Sequence, residues 1–214
     1  MKTETMSPNV PTITDRTPSS IRLPSPDQLR DAIPRTADSE KTVNRSRSEI
    51  ERILAGQDDH RLLIVCGPCS IHDLAASMNY ARRLANLAKS VESEIAIVMR
   101  TYFEKPRSVV GWKGLVYDPE LDGASAAHNG LSIARRLLTR VNEMGLPCAT
   151  EFLNPLIAPY LEDLISYGAI GARTAESQIH RELASSLPLP IGMKNDMQGD
   201  LQSAVNAIQA ANQA

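Results

Sequence analysis

The stretch LLIVCGPCSIHD, residues 62–73, joins an apolar run of strand length to a polar segment. The same succession recurs four times: RTYFEKPRS follows EIAIVM, Glu151 follows CAT, Arg173 follows AIGA and Lys194 follows PIGM. Such short, nearly all-apolar runs are typical of strands that are buried on both faces of a parallel sheet. Loops at the carboxyl edge of such a sheet converge, so polar residues that end successive strands predict a common site.

Helical periodicity separates these strands. We predict strands over residues 62–67, 94–101, 148–153, 169–174 and 190–195, and helices near residues 75–91, 126–144, 157–167, 177–186 and 200–213. Gly145 and Gly168 follow two of the helices and are candidates for their C-caps. Five β-α units in succession indicate either a doubly wound sheet or a β/α barrel. No strand is followed by a glycine fingerprint for nucleotide binding, which favours the barrel.

The chain divides into three segments. Residues 1–26 are rich in Pro, Ser and Thr, and we predict a disordered tail there. Residues 27–57 form an N-terminal extension with a helix, because Ile50, Ile53 and Leu54 follow helical spacing. Residues 58–214 hold the partial barrel.

Composition excludes several classes of protein. The formal charge of −2 disfavours a nucleic-acid-coating protein, and no apolar run reaches the roughly 18 residues that span a bilayer. The N-terminal residues lack the apolar core of a secretory signal. Three cysteines, an odd number, argue against a disulfide framework and predict a reducing, cytoplasmic compartment.

The strand ends are rich in cations, and this predicts an anionic, phosphorylated substrate. Arg supplies a fork for bidentate phosphate contacts and Lys a point charge; residues 100–108 contain both, with Pro106 stiffening the loop. A solvated surface loop with ion pairs to Glu104 is the alternative for this segment. Small residues beside Arg173 allow backbone N–H groups and a guanidinium to share one phosphate.

Glu151 lies among apolar residues, so it either pairs with a cation or acts as an acid or base. Cys66 and Cys69 have the spacing of a redox pair, but Cys66 stands inside an apolar run, where a cysteine is more often a buried hydrophobe. Cys69 enters a polar segment with His72 and Asp73, which are potential ligands of a divalent metal.

Three further aromatic or imidazole side chains have simpler interpretations. His128 and His180 fall in helical stretches and are interpreted as surface or core-edge residues. Trp112 is interpreted as a packing anchor for the long loop after the second strand.

Six blocks in this order resemble the type I 3-deoxy-D-arabino-heptulosonate 7-phosphate (DAHP) synthases: GPCSIHD, MRTYFEKPRS, GWKGL, EFL, GAIGARTAESQIHRELAS and GMKN. The resemblance implies a (β/α)8 TIM barrel of which about five units are present. It also implies a transferase that condenses phosphoenolpyruvate with erythrose 4-phosphate to give DAHP and phosphate. This reaction opens the shikimate pathway to the aromatic amino acids.

The resemblance also implies site residues. Cys69 corresponds to a ligand of a divalent metal of the Mn, Fe, Co or Zn type, and Lys105 and Glu151 to catalytic residues. The phosphoenolpyruvate pocket corresponds to Arg100, Lys105, Glu151, Ala172, Arg173 and Lys194. The erythrose 4-phosphate segment corresponds to Lys105, Pro106, Arg107 and Ser108.

In the family, the other metal ligands come from units six to eight. We therefore expect a synthase that is truncated after the fifth unit, with open edges that pair with another chain or form a homo-oligomer. An aromatic amino-acid effector is implied as well. Two alternatives stay open: a catalytically incompetent paralogue that binds or regulates a full-length synthase, and a thiol-disulfide protein built on Cys66 and Cys69.

Overall fold

A computed structural model of the chain describes residues 23–107 and 109–213, so residues 1–22 of the predicted tail lie outside the described residues. Five strands alternate with the helices: β1 (Leu62–Cys66), β2 (Ile95–Arg100), β3 (Cys148–Glu151), β4 (Tyr167–Ile170) and β5 (Ile191–Met193). The helices are α1 (Pro26–Ala32), α2 (Ala37–Leu54), α3 (Leu74–Ser90), α4 (Ala127–Glu143), α5 (Ala158–Leu161), α6 (Gln178–Ser186) and α7 (Leu201–Ala211).

All strand pairs are parallel, and the strands lie side by side in the order of the sequence, from β1 to β5. Each helical crossover therefore advances the sheet in the same direction. A doubly wound sheet reverses its strand order at a switch point, whereas a β/α barrel does not. The prediction of a partial β/α barrel is confirmed.

The two faces of the sheet have different surroundings. Ile97, Met99 and Cys148 belong to the main core, in which this face of the sheet packs against the helices. Val98 and Ala149 belong to a second, smaller cluster on the other face, together with Ile50 of α2, Leu63, Val65 and Tyr167. Part of the N-terminal extension thus packs against the face that a barrel turns inward.

The prediction for the fourth unit was partly wrong. The helix expected over residues 157–167 is shorter: α5 passes into a single 3-10 turn, Glu162–Leu164, and β4 begins at Tyr167. Gly168 is therefore not a helix C-cap but a strand residue that pairs with Thr150 and Ile191. A Cβ atom there would collide with the side chains of Ile191 and Phe152, so packing requires the glycine. Gly145 does follow α4 with φ +77°, as predicted.

A buried arginine fastens the N-terminal extension to the barrel segment. The Arg135 side chain is 1% exposed, and its guanidinium forks onto Asp163 with N–O distances of 2.6 and 2.8 Å. Arg135 Nε also donates to the carbonyl of Ile33, which follows α1, and Nη1 donates to the carbonyl of Tyr160. One side chain thus connects α4, the end of α1 and the turn after α5.

The two outer strands have one neighbour each within the described part of the chain. On β1, Leu62 and Ile64 are 68% and 38% exposed, unlike the corresponding residues of β2. In the described ranges, no helix is both long enough and apolar enough to cross a membrane.

Candidate active site

Strand register brings three predicted site residues to one face of the sheet. Arg100 lies opposite Ala149, so Glu151, two residues further along β3, faces the same way. Glu151 lies opposite Ala169, which is itself opposite Gly192, and Lys194 follows Gly192 by two residues. Arg100, Glu151 and Lys194 therefore share the inward face at the carboxyl edge. This face also carries the small cluster around Val98.

Glu151 and Lys194 form an ion pair at 2.9 Å. Glu151 is buried, whereas the Lys194 side chain is 38% exposed. Burial lowers the pKa of Lys194, but the hydrogen bond to Glu151 and the charge of that carboxylate outweigh it, and the net change is upward. Gly171 passes so close to the Glu151 carboxylate that a Cβ atom would overlap it. The inward ion pair, one of the two alternatives for Glu151, is present in this geometry.

Tyr102 lies between two of the cations. The Arg100 guanidinium is 5.4 Å from the centre of the Tyr102 ring, and Lys194 Nζ is 5.0 Å from it. Arg100 also donates to the carbonyls of Pro68 and Gly67, at 2.9 and 3.0 Å. The loop after β1 is thereby joined to the end of β2.

Lys105 contacts the predicted metal ligand. Its Nζ donates to the exposed Cys69 thiol at 3.0 Å. This hydrogen bond and the lysine charge lower the pKa of Cys69, which favours the thiolate. The other two cysteines differ from Cys69. Cys66 is half-buried within β1, and Cys148 is fully enclosed, so that burial raises the pKa of its thiol.

Arg107 and Trp112, in the loop between β2 and α4, both donate to backbone carbonyls of the same loop. Arg107 is exposed and its Nε donates to the carbonyl of Trp112 at 2.8 Å. Trp112 donates to the carbonyl of Asp118 at 2.7 Å and packs against the main core, consistent with a packing anchor. Pro106 is half-buried, and Ser108 lies outside the described residues.

The loop after β4 carries Ala172 and Arg173. It turns sharply, because the N–H groups of Thr174 and Ala175 both donate to the carbonyl of Gly171. Ala172 is half-buried and Arg173 is exposed.

Sequence reasoning missed two polar residues behind this site. Glu104 is 5% exposed and accepts a hydrogen bond from the Tyr117 hydroxyl at 2.8 Å, so it is not an ion-pair partner of the loop cations. His180 is 9% exposed, and both of its ring nitrogens are hydrogen-bonded, to Ser177 and Leu153. The only signal in the sequence was that both lie beside apolar residues.

A metal site is not complete in this geometry. Within residues 23–107 and 109–213, no three His, Cys, Asp or Glu side chains are close enough together to hold an ion. Cys69 is a suitable donor by its exposure and lowered pKa, but its described neighbour is an ammonium group.

Comparison with known proteins gives consistent results. The sequence model of the DAHP synthetase I family matches residues 35–214. The Trp-sensitive phospho-2-dehydro-3-deoxyheptonate aldolase of Escherichia coli (strain K12) is 54% identical over 196 residues, which cover 92% of this chain and 56% of that protein. The enzyme of the same name from Buchnera aphidicola subsp. Baizongia pistaciae is 56% identical over 170 residues, 79% of this chain and 49% of that protein.

A solved structure agrees with these sequence matches. Phospho-2-dehydro-3-deoxyheptonate aldolase from Francisella tularensis SCHU S4 superposes with a TM-score of 0.86 at 49% identity, covering 89% of this chain and 55% of that one. The chain thus spans about half the length of the relatives that it matches.

Proposed function

The chain belongs to the DAHP synthetase I family, and from that premise we propose that it serves 3-deoxy-7-phosphoheptulonate synthesis. The reaction is the aldol-type condensation of phosphoenolpyruvate with erythrose 4-phosphate, in which water is consumed and DAHP and phosphate are formed. The observation that carries the proposal is the convergence of Arg100, Lys105 and Lys194 around Glu151 and Cys69 at one edge of the sheet. Such an edge suits a phosphorylated, carboxylated substrate.

In this proposal, phosphoenolpyruvate lies between Arg100, Lys105 and Lys194, with Arg173 and the backbone of Ala172 contributing from the loop after β4. The cations offset the mutual repulsion of two phosphorylated reactants and hold the enol carbon near the aldehyde carbon. Arg107, Pro106 and Ser108 belong to the segment assigned to erythrose 4-phosphate.

Lys105 and Glu151 are the proposed catalytic residues. The Lys105 ammonium can donate to an oxygen on which negative charge develops. The Glu151 carboxylate pairs with Lys194, and while the pair stays in place it can orient that ammonium or accept a proton from a reacting group. Both roles require that the Lys105 ammonium and the Glu151 carboxylate reach the same bound substrate.

Three further properties belong to the proposal. Divalent-metal dependence is implied by the family; a metal would act as a Lewis acid and Cys69 would be one ligand, but the described residues do not complete the site. An aromatic amino-acid effector is suggested by the relatives, which are named Trp-sensitive. A cytoplasmic location and association through the outer strands, as a homo-oligomer or with another chain, complete it.

The test combines substrate binding with turnover. Titration calorimetry with phosphoenolpyruvate should give binding to the purified chain that Lys194→Met abolishes. Lys89→Met is the matched control, because Lys89 is exposed in the last turn of α3, away from the carboxyl edge. Absence of binding by the unaltered chain would refute the proposed site.

Turnover is followed as loss of phosphoenolpyruvate, with and without erythrose 4-phosphate, Mn²⁺ and a chelator. Loss that requires the aldose and stops with the chelator supports the full reaction. Binding without turnover, while a full-length relative is active in parallel, would refute catalysis by this chain alone.

A further inference from the structure

We propose that Glu104 and His180 are positioning residues, which together hold the loops after β2, β3 and β4 in register through the peptide groups around Leu153. These loops carry Lys105, Glu151 and Arg173, respectively, at or just beyond the strand ends. The inference rests on the proposed function, since it assigns a role in assembling that same site.

Glu104 connects the first two loops. Its Oε1 accepts from the Tyr117 hydroxyl at 2.8 Å, and its Oε2 faces the N–H groups of Leu153 and Asn154 at 3.3 and 3.4 Å. Asn154 Nδ2 donates to the same tyrosine hydroxyl at 3.0 Å. Glu104 directly precedes Lys105, whose Nζ reaches Cys69, so holding Glu104 in place also holds the backbone from which Lys105 extends.

His180 connects the second loop to the third. Its Nε2 lies 2.8 Å from the carbonyl of Leu153, and its Nδ1 lies 3.0 Å from Ser177 Oγ. A carbonyl can only accept, so Nε2 carries the proton, and the ring bridges to the segment that follows Arg173. The backbone of Leu153 thus contacts Glu104 through its N–H group and His180 through its carbonyl group.

A glutamate at position 104 is better explained by a role in positioning the loops than by a contribution to stability. Glu104 is buried among neutral donors, and burial raises the pKa of its carboxyl group. A buried carboxylate without a cation costs free energy that an apolar side chain would not. The carboxylate offers several directional acceptors at once. These hold the backbone at Glu104, the Tyr117 side chain and the peptide groups at Leu153 and Asn154 in fixed relative positions.

The test asks whether each substitution disturbs a loop that it does not touch. Hydrogen–deuterium exchange is measured by mass spectrometry on peptides covering residues 102–107 and 171–177. In Glu104→Ala, exchange should rise about three- to tenfold in residues 171–177, which lie beyond the direct contacts of Glu104. In His180→Phe it should rise similarly in residues 102–107.

Conservative and matched variants separate positioning from simple damage. Glu104→Gln keeps an acceptor for the two N–H groups and a partner for Tyr117, so it should restore slow exchange. Glu143→Ala and His128→Ala alter exposed residues of α4 and should change neither loop. If Glu104→Ala does not fold, Tyr117→Phe, which removes only a hydroxyl, carries the same test.

Affinity for phosphoenolpyruvate supplies the second readout. Loss of a supporting residue behind a site typically costs about 10- to 100-fold, so Glu104→Ala and His180→Phe should weaken binding by that order. Exchange changes confined to the substituted loop would overturn the inference, as would unchanged affinity. If the unaltered chain binds no phosphoenolpyruvate, the proposed function fails, while the exchange data still decide whether the loops are coupled.

Discussion

Replacing Arg135 with methionine tests how the N-terminal extension is held. Methionine retains most of the apolar stem but removes every donor of the guanidinium. The substitution leaves the carbonyls of Ile33 and Tyr160 without this donor, and it removes the fork from Asp163, whose side chain is 12% exposed.

The size of the effect follows from these losses. Loss of the hydrogen bond to each of the two carbonyls costs about 1 kcal/mol, and loss of the charged fork costs about 1.5–3 kcal/mol. Arg30 and Arg35 lie 3.9 and 3.6 Å from the same carboxylate and offset part of the loss. We therefore expect Arg135→Met to lower the free energy of unfolding by about 3–4 kcal/mol, a large part of the ~5–15 kcal/mol of a typical domain.

Urea unfolding followed by circular dichroism measures this change as a lower midpoint at an unchanged slope. Arg45→Met is the control, because Arg45 makes an exposed pair with Glu49 at 3.8 Å that should contribute less than about 0.5 kcal/mol. Arg135→Lys should not rescue, because lysine has no fork. A loss below about 1 kcal/mol in Arg135→Met would refute the reasoning.

Two further predictions concern the site. Cys69 should react with iodoacetamide faster than Cys148, and Lys105→Met should slow the reaction at Cys69 because it removes the charge that lowers the pKa of this thiol; equal rates in a mass-spectrometric time course would contradict this. Lys194→Met should cost about 1–2 kcal/mol at neutral pH, less than a fully buried pair because the lysine is partly exposed. Since the folded-state pKa of Lys194 is raised, this contribution is lost only as the pH rises through that pKa, so the gap to the unaltered chain should close in strongly alkaline urea titrations. A gap of equal size at both pH values would be inconsistent with the Glu151 pair.

The sheet was predictable because its strands are short apolar runs separated by strongly periodic helices. The β1 and β3 strands begin at the predicted residues, Leu62 and Cys148. The fourth unit was less predictable, because residues 157–165 keep helical spacing while Ile165 is extended, with φ −107° and ψ 133°. There the ladder bond from Ser166 to the carbonyl of Cys148 prevails over local helical preference.

Site residues were predictable from the sequence where a charged residue ends a strand. They were not predictable where a residue supports the site through contacts with residues distant in the sequence. Register alone brings Arg100, Glu151 and Lys194 together. The partners of Glu104 are 13 to 50 residues away, and Leu153 is 27 residues from His180, so no periodicity in the sequence indicates these contacts. A buried carboxylate next to a phenylalanine reads, in sequence, like any loop residue.

The partners of the cations indicate which of them will move when an anion arrives. Arg100 donates to neutral carbonyls, Lys105 to a thiol, and Arg107 to the carbonyl of Trp112. A phosphate or carboxylate oxygen is a stronger acceptor than a carbonyl oxygen or a cysteine sulfur, so these three can exchange their partners at modest cost. Lys194 already faces the buried carboxylate of Glu151, and separating them would leave that charge unpaired. We therefore expect Lys194 to stay with Glu151 as a fixed end of the site, while the arginines and Lys105 turn toward the substrate.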